Sequence, residues 1–372
     1  TYPLFHWGPI PWGFYLVLSA AFGFMLHVRK RSRQKYSEAC RPVLGNRVDG
    51  WAGKLIDLIA VFALLAGTAT TFSLATPLLA GAISNVTGIP QSTGLTLVIL
   101  VVVCAIYTFS VYFGMKGVQL SAATCTWLFF GLLAYVFFFG GQTRFIIEEG
   151  ITALGNMTQN FIGLSTWTDS LRTSSFPQTW TIFYWAYWMV WCVAVPFFIG
   201  SISKGRTLRQ VILGGYVFGL SGTFTSFIIM GNYGLGLQMH GKLDVLSSYA
   251  ADGNLYQAIL DILGQLPLSK AVLVLLVLCM ITFYSTSFDS ITMVASTYTY
   301  KELKSDEEPH RNVKLFWAIF LILLPLALIF SENSMSNLQT VSIIAAFPVG
   351  IIMLLIITSF FKDADAYLKE QK

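Results

Sequence analysis

The sequence predicts an all-α integral membrane protein, and three observations predict it. Only 11% of its 372 residues are charged, against about 25% in soluble domains. The mean hydropathy is +0.67. Apolar runs recur along the whole chain, each long enough at about 20 residues to cross a hydrocarbon core about 30 Å thick. Lipid offers no partner to an unpaired backbone group, and runs of this length satisfy their own groups as helices. These runs override the several soluble domains that the length alone suggests, so the chain reads as one polytopic unit.

Hydropathy marks nine spans, at 11–28, 56–83, 95–115, 118–141, 178–200, 210–234, 270–297, 313–331 and 338–361. Lys and Arg orient them. Nineteen of the 23 basic residues fall on one face, and Arg144, Arg172, Lys242 and Lys270 on the other. The positive-inside rule makes the first face cytoplasmic, placing the N-terminus outside and the C-terminus inside. The net charge of +5 follows from this loop bias and from attraction to anionic lipid, so no nucleic-acid partner is expected.

Cys40, Cys104, Cys125, Cys192 and Cys279 are far apart and form no CxxC or metal spacing, which makes them small apolar packing residues. His6, His27, His240 and His310 are equally scattered. With no nucleophile, metal set or acid/base pair, the chain is not expected to be an enzyme. Nothing near Thr1 has the basic region and small-residue site of a cleavable signal. Residue 1 is not Met and lies a few residues before a span, as in a piece of a longer protein. Two longer outer segments remain, 142–177 and 235–269. The latter contains an amphipathic stretch with Leu255, Ile259, Leu260 and Leu263, expected as a linker helix lying on the outer surface.

The stretch "FYWAYWMVW" at 183–191, with Trp180 upstream, concentrates aromatic side chains. Trp180 to Trp191 reaches about 16 Å along a helix, too deep for an interfacial aromatic belt. Trp180, Tyr184, Tyr187, Trp188 and Trp191 share one broad face. Interhelical faces in membranes usually prefer small residues to stacked rings. A second cluster, Trp7, Trp12 and Tyr15, surrounds Pro9 and Pro11 at the outer end of the first span, where proline suits a helix start. Both clusters lie at outer ends of spans, so they are placed to face one another.

Opposed Trp and Tyr faces bind quaternary ammonium groups by cation–π attraction, worth ~0.5–2 kcal/mol per ring. No carboxylate occurs from Thr1 to Val28 or from Ser170 to Met230. A neutral cage suits a permanently charged methylated cation, and especially a zwitterion that brings its own counter-charge.

The seventh span carries "FYSTSFDSIT" at 283–292. Its hydroxyls serve either as interhelical glue or, with a nearby carbonyl, as ligands for a small hard cation such as sodium. Asp289 is costly within a membrane and is expected near the cytoplasmic end or paired.

The motifs "HWGPIPW..Y", "WTIFYWAYW..W", "ISKGRT" and "TSFDS", in this order and spacing, resemble the betaine/choline/carnitine transporter family over essentially the whole chain. The resemblance implies twelve spans, ten of them forming two inverted five-helix repeats of the LeuT type, assembled as a homotrimer in the bacterial inner membrane. On that plan this chain runs from the fourth span to the twelfth. Residues 1–141 are then the remainder of the first repeat, 178–361 the second, and 362–372 a short cytoplasmic tail. The missing third span would contact the substrate carboxylate and part of the sodium.

The resemblance also implies residue roles. Trp7, Trp12, Tyr15 and Trp188 fall at the aromatic box for the trimethylammonium group. Tyr187 stands where many members have a second Trp, and Trp191 falls on the permeation path. Trp180 falls at an outer, regulatory aromatic position. Thr286 and Ser287, with the carbonyl of Phe283, fall on a sodium site, and Thr68, Thr70 and Thr71 in the region of a second one. Ser201 replaces an Arg before the "ISKGRT" loop, and Pro196 stands where most relatives have Gly. Cys125 and Val195 stand where sodium-independent carnitine antiporters have Arg and Met, which favours sodium coupling.

The expected function is sodium-coupled symport of glycine betaine, choline, carnitine or a related osmolyte, with sodium as coupling ion and no other cofactor. The alternatives are a sodium-independent carnitine/butyrobetaine-type exchanger and, in another class, a non-transporting membrane sensor of methylated amines.

Overall fold

The computed structural model describes residues 1–112, 115–304, 307–329 and 335–371. Residues 113 and 114 at the end of the third expected span, 305 and 306 in the loop before the eighth, 330–334 including the end of the eighth, and Lys372 lie outside the described residues. Among those described the regular structure is helical throughout, without a strand. Seven helices are long and apolar enough to cross a membrane, and eight when one bent pair counts as a single span. The expected span at 313–331 corresponds to the helix Arg311–Ile329. Large apolar side chains stand exposed along these helices, among them Val98, Leu120, Trp127 and Phe138. Side chains of this kind, exposed along helices of membrane-crossing length, suit a lipid surround.

The chain divides into two compact units. The first comprises Thr1–Phe5, Thr71–Trp167 and Ser221–Phe288. Its core gathers Leu132, Val136, Ile146, Tyr233, Leu260 and Leu263 with neighbouring apolar residues. The outer segment after residue 142 is largely the helix Thr143–Gln159. Gly150 allows a close approach there, since a Cβ would stand 2.5 Å from the Ile228 side chain. The amphipathic stretch is the helix Leu255–Gly264, begun by Asn254, whose side chain accepts from the N–H groups of Tyr256 and Gln257. Its buried residues Ala258, Leu260 and Leu263 make it a packed linker, with the apolar face turned into the core.

The second unit comprises His6–Thr70, Thr168–Leu220 and Asp289–Lys372. Its centre is the helix Pro9–Gly23, which packs on Val195–Ile202, Ile182–Trp191 and Met335–Glu370. Between helices in lipid the hydrophobic effect is weak and close packing of small residues takes over. Gly200 supplies it here: a Cβ would lie 2.8 Å from the backbone nitrogen of Gly23 and 3.1 Å from the carbonyl of Ser19. Beside this contact His27 Nε2 lies 3.0 Å from the carbonyls of both Gly200 and Ser201, at the last turn of Val195–Ile202.

The basic loop after the first span is structured rather than merely solvated. Arg29 and Arg31 reach Asp363 at 2.9 and 2.8 Å. Arg41 bridges Glu38 at 2.7 Å and Asp49 at 2.8 Å, and Arg33 also pairs with Asp49. The hydrogen bonds from Arg41 hold the Asp49 carboxyl well below the usual carboxylate range. Cys40 is fully buried, and burial pushes its thiol up to about 12. Such a thiol is inert packing. Asp289, expected near an end or paired, is fully buried, about 12 Å short of the end of the helix Ser269–Thr297.

Candidate functional site

The two aromatic clusters meet in the second unit. Gly8 separates the short helix Tyr2–His6 from Pro9–Gly23, and Pro9 begins the latter, where its missing N–H costs nothing. Trp7 therefore sits in a non-helical link. Trp12 and Tyr15, three residues apart, share one side of the helix that follows. Trp188 lies opposite, on Ile182–Trp191.

Trp188 is the hub. Its ring centroid is 4.5 Å from that of Tyr15, 5.3 Å from Trp7 and 5.7 Å from Trp12. Trp12 and Tyr15 meet edge to face at 6.1 Å. Aromatic pairs in such tilted and T-shaped arrangements contribute ~0.5–1.5 kcal/mol each beyond area burial. Tyr15 and Trp188 are buried, at 7% and 5% exposure. Among the described residues Trp188 Nε1 is buried without a hydrogen-bond partner.

Of the other aromatic positions singled out above, Tyr187 and Trp191 form an edge-to-face pair at 6.2 Å, and Tyr187 also stacks on Phe183 at 5.9 Å. Trp180 stacks on Tyr184 at 5.9 Å, and Tyr184 in turn meets Trp7 at 5.9 Å. Tyr184 thus links the outer ring to the cluster. Its place was readable from spacing, four residues from both Trp180 and Trp188.

Two features are absent from the sequence reading. First, the expected continuous span at 178–200 is broken. The segments Pro177–Trp191 and Val195–Ile202 bend by 43° across Cys192, Val193 and Ala194. Pro196 contributes to the break, because it has no N–H to offer the carbonyl of Cys192 one turn earlier. Interrupted helices in membranes are tolerated where they line a cavity or a binding site, and this break lies one turn beyond Trp188. Second, the glycines of "GYVFG" form a smooth wall. A Cβ on Gly219 would stand 2.6 Å from the Trp12 ring, and one on Gly215 2.0 Å from Leu16. The glycine spacing of four was the available signal.

The hydroxyl cluster belongs to the first unit. Thr286 Oγ1 donates to the carbonyl of Phe283 at 3.1 Å, so these two oxygens stand together on one turn of helix. The carbonyl is local, three residues back, and the pair is partly accessible: the Phe283 side chain is 41% exposed, and Thr286 and Ser287 are half-buried. Buried Cys125 lies within hydrogen-bonding reach of Thr282 and Thr286. Thr68 and Thr70, in the second unit, turn their hydroxyls back to the carbonyls of Leu64 and Ala66, and Thr70 also meets Ser342 at 3.0 Å.

A profile describing betaine/carnitine/choline family transporters matches residues 1–369. The chain is 29% identical over 357 residues to a carnitine transporter of Acinetobacter baumannii, covering 95% of this chain and 64% of the relative. It is 28% identical over 362 residues to the uncharacterized transporter YeaV of Escherichia coli, covering 97% of this chain and 75% of that protein. The chain thus spans less than two thirds of the first relative's length. With helices throughout, membrane-crossing lengths and a match across nearly every residue, this chain belongs to the betaine/carnitine/choline transporter family.

Proposed function

We propose that the protein to which this chain belongs is a sodium-coupled symporter of a quaternary-ammonium zwitterion, with Trp7, Trp12, Tyr15 and Trp188 as its cation cage. The observation that carries this reading is the convergence of three rings on Trp188 within carboxylate-free parts of the chain. Rings supply negative faces without a titratable group, so the cage holds a methylated cation at any pH. The unpartnered Nε1 of Trp188 suits a zwitterion, whose carboxylate or hydroxyl is an acceptor. Centroid separations of 4.5 to 6.1 Å leave the rings in mutual contact, so seating a trimethylammonium group among them has to part them. Tyr187, Trp191 and the break beyond them suit the path onward, and Trp180 an outer station.

Sodium is read as a co-transported substrate held by the Phe283 carbonyl, Thr286 and Ser287. Two oxygens 3.1 Å apart are close enough for one cation to bridge. Cys125 beside them brings no fixed positive charge that would replace the ion. The basic loops are assigned to the cytoplasm of a bacterial inner membrane with the C-terminus inside, and the assembly to a homotrimer. Carnitine is the first substrate to try, because the A. baumannii relative bears its name.

The test is uptake of labelled carnitine and glycine betaine by the full reading frame in liposomes, with and without an inward sodium gradient, alongside Trp188→Ala. Uptake that needs sodium and collapses in the variant is expected. Sodium-indifferent uptake accelerated by internal substrate would mean an exchanger. Binding without uptake would mean a sensor.

A further inference from the structure

His6 is the residue before Trp7, and the cage as described does not use it. It is 3% exposed, and Nε2 lies 2.8 Å from Thr181 Oγ1. Its ring stands 5.3 Å from that of Tyr184 and stacks on Phe176 at 6.1 Å. A buried polar ring in a membrane segment is costly unless its hydrogen bonds are made, so the bond to Thr181 gives this position a reason to be histidine rather than another aromatic residue.

The place of that bond matters. Thr181, Tyr184 and Trp188 follow at i, i+3 and i+7 and lie along one helical face. Trp7 sits in the turn between the helices Tyr2–His6 and Pro9–Gly23. Its indole meets both Tyr184, at 5.9 Å, and Trp188, at 5.3 Å. The His6–Thr181 bond pins the neighbouring residue to a point two turns from Trp188. Farther out, the loop entering this helix is itself held: the Asp169 carboxylate accepts from the N–H groups of Thr173, Ser174 and Ser175 at 3.1, 2.9 and 2.7 Å.

We propose that His6 is a positioning residue of the quaternary-ammonium cage, setting through Thr181 the register of the Trp7 ring against Trp188. This rests on the function proposed above. Losing the bond lets the Trp7 link slide along the face of the partner helix while the rest of the cage keeps its shape. Thr181 has a local alternative, a bond to its own backbone one turn back, so the loss registers in ligand affinity more than in folding.

Binding of carnitine and glycine betaine to the full protein, followed by tryptophan fluorescence and by uptake, tests this. His6→Phe and Thr181→Val are each expected to weaken binding about tenfold, raising KM with maximal uptake rate retained. The double variant is expected to be no weaker than either single one, as for two ends of one bond. Thr181→Ser keeps the hydroxyl and should restore affinity. Additive losses, a Thr181→Ser as weak as Thr181→Val, or singles that bind like the parent would each overturn the assignment. Should His6→Phe fail to fold, the Thr181 pair decides alone. Trp188→Ala in parallel separates the layers: unchanged binding there sinks the cage itself, whereas lost binding there with normal Thr181→Val binding sinks only the role of His6.

Discussion

The ring cluster around Trp188 and the hydroxyl pair at Thr286 are built at opposite ranges. The rings come from residues as far apart as Trp7 and Trp188, meet only by tertiary packing and stand beside a broken helix. The oxygens of Phe283 and Thr286 come from one turn of the single helix Ser269–Thr297. The difference teaches where each is vulnerable. A long-range cluster is disturbed by anything that shifts either helix, including residues that touch no ligand, whereas a local pair is disturbed chiefly by direct substitution. It also matches two kinds of cation: a large, weakly hydrated one suits polarisable faces, and a small, hard one suits oxygen.

Four substitutions test that contrast. Trp188→Ala removes the hub of three ring contacts. At ~2 kcal/mol of cation–π attraction it should weaken carnitine or glycine betaine binding about 30-fold, by fluorescence titration. A sodium dependence of uptake that changed equally would deny that the two clusters serve different cations. Thr286→Val keeps the shape and deletes one oxygen. It should raise the sodium concentration for half-maximal uptake about tenfold, with sodium-free substrate binding untouched, as for loss of ~1.4 kcal/mol.

The third test is indirect by design. Gly219→Ala puts a methyl group against the Trp12 ring, an overpacking worth ~1–3 kcal/mol when neighbours cannot yield. Part of this should appear as about fivefold weaker binding together with a shifted tryptophan emission. Unchanged emission and affinity would mean that the wall at Gly219 does not set the ring. The smallest effect is expected at Cys125, beside Thr282 and Thr286. Cys125→Ser exchanges a soft sulfur for a hard oxygen and should lower the half-maximal sodium concentration about twofold. A rise instead would show that the thiol supports the pair by packing.

Much of this was legible without coordinates. Composition and apolar run length dictate membrane helices, because lipid allows little else. The face shared by Trp180, Tyr184 and Trp188 follows from 3.6 residues per turn, and the Phe283–Thr286 contact from a spacing of three. Other features were hidden. Pro196 was visible, but a proline in a membrane helix is compatible with a smooth path, as Pro77 shows within the unbroken helix Trp51–Thr87, so the 43° bend was not determined by its presence. His6 looked like one of four scattered histidines until Thr181, 175 residues away, came within 2.8 Å of it.

Features with a short period, namely helix faces, the concentration of rings and the local oxygen pair, follow from residue order alone. Which faces meet depends on how the chain folds back on itself. Trp188 found Trp7, Trp12 and Tyr15, Gly200 found Gly23, and Gly219 found Trp12. The physical reason is that a helix's own hydrogen bonds are local, whereas partners in a membrane are chosen by close packing, in which a single absent Cβ sets how near two backbones come.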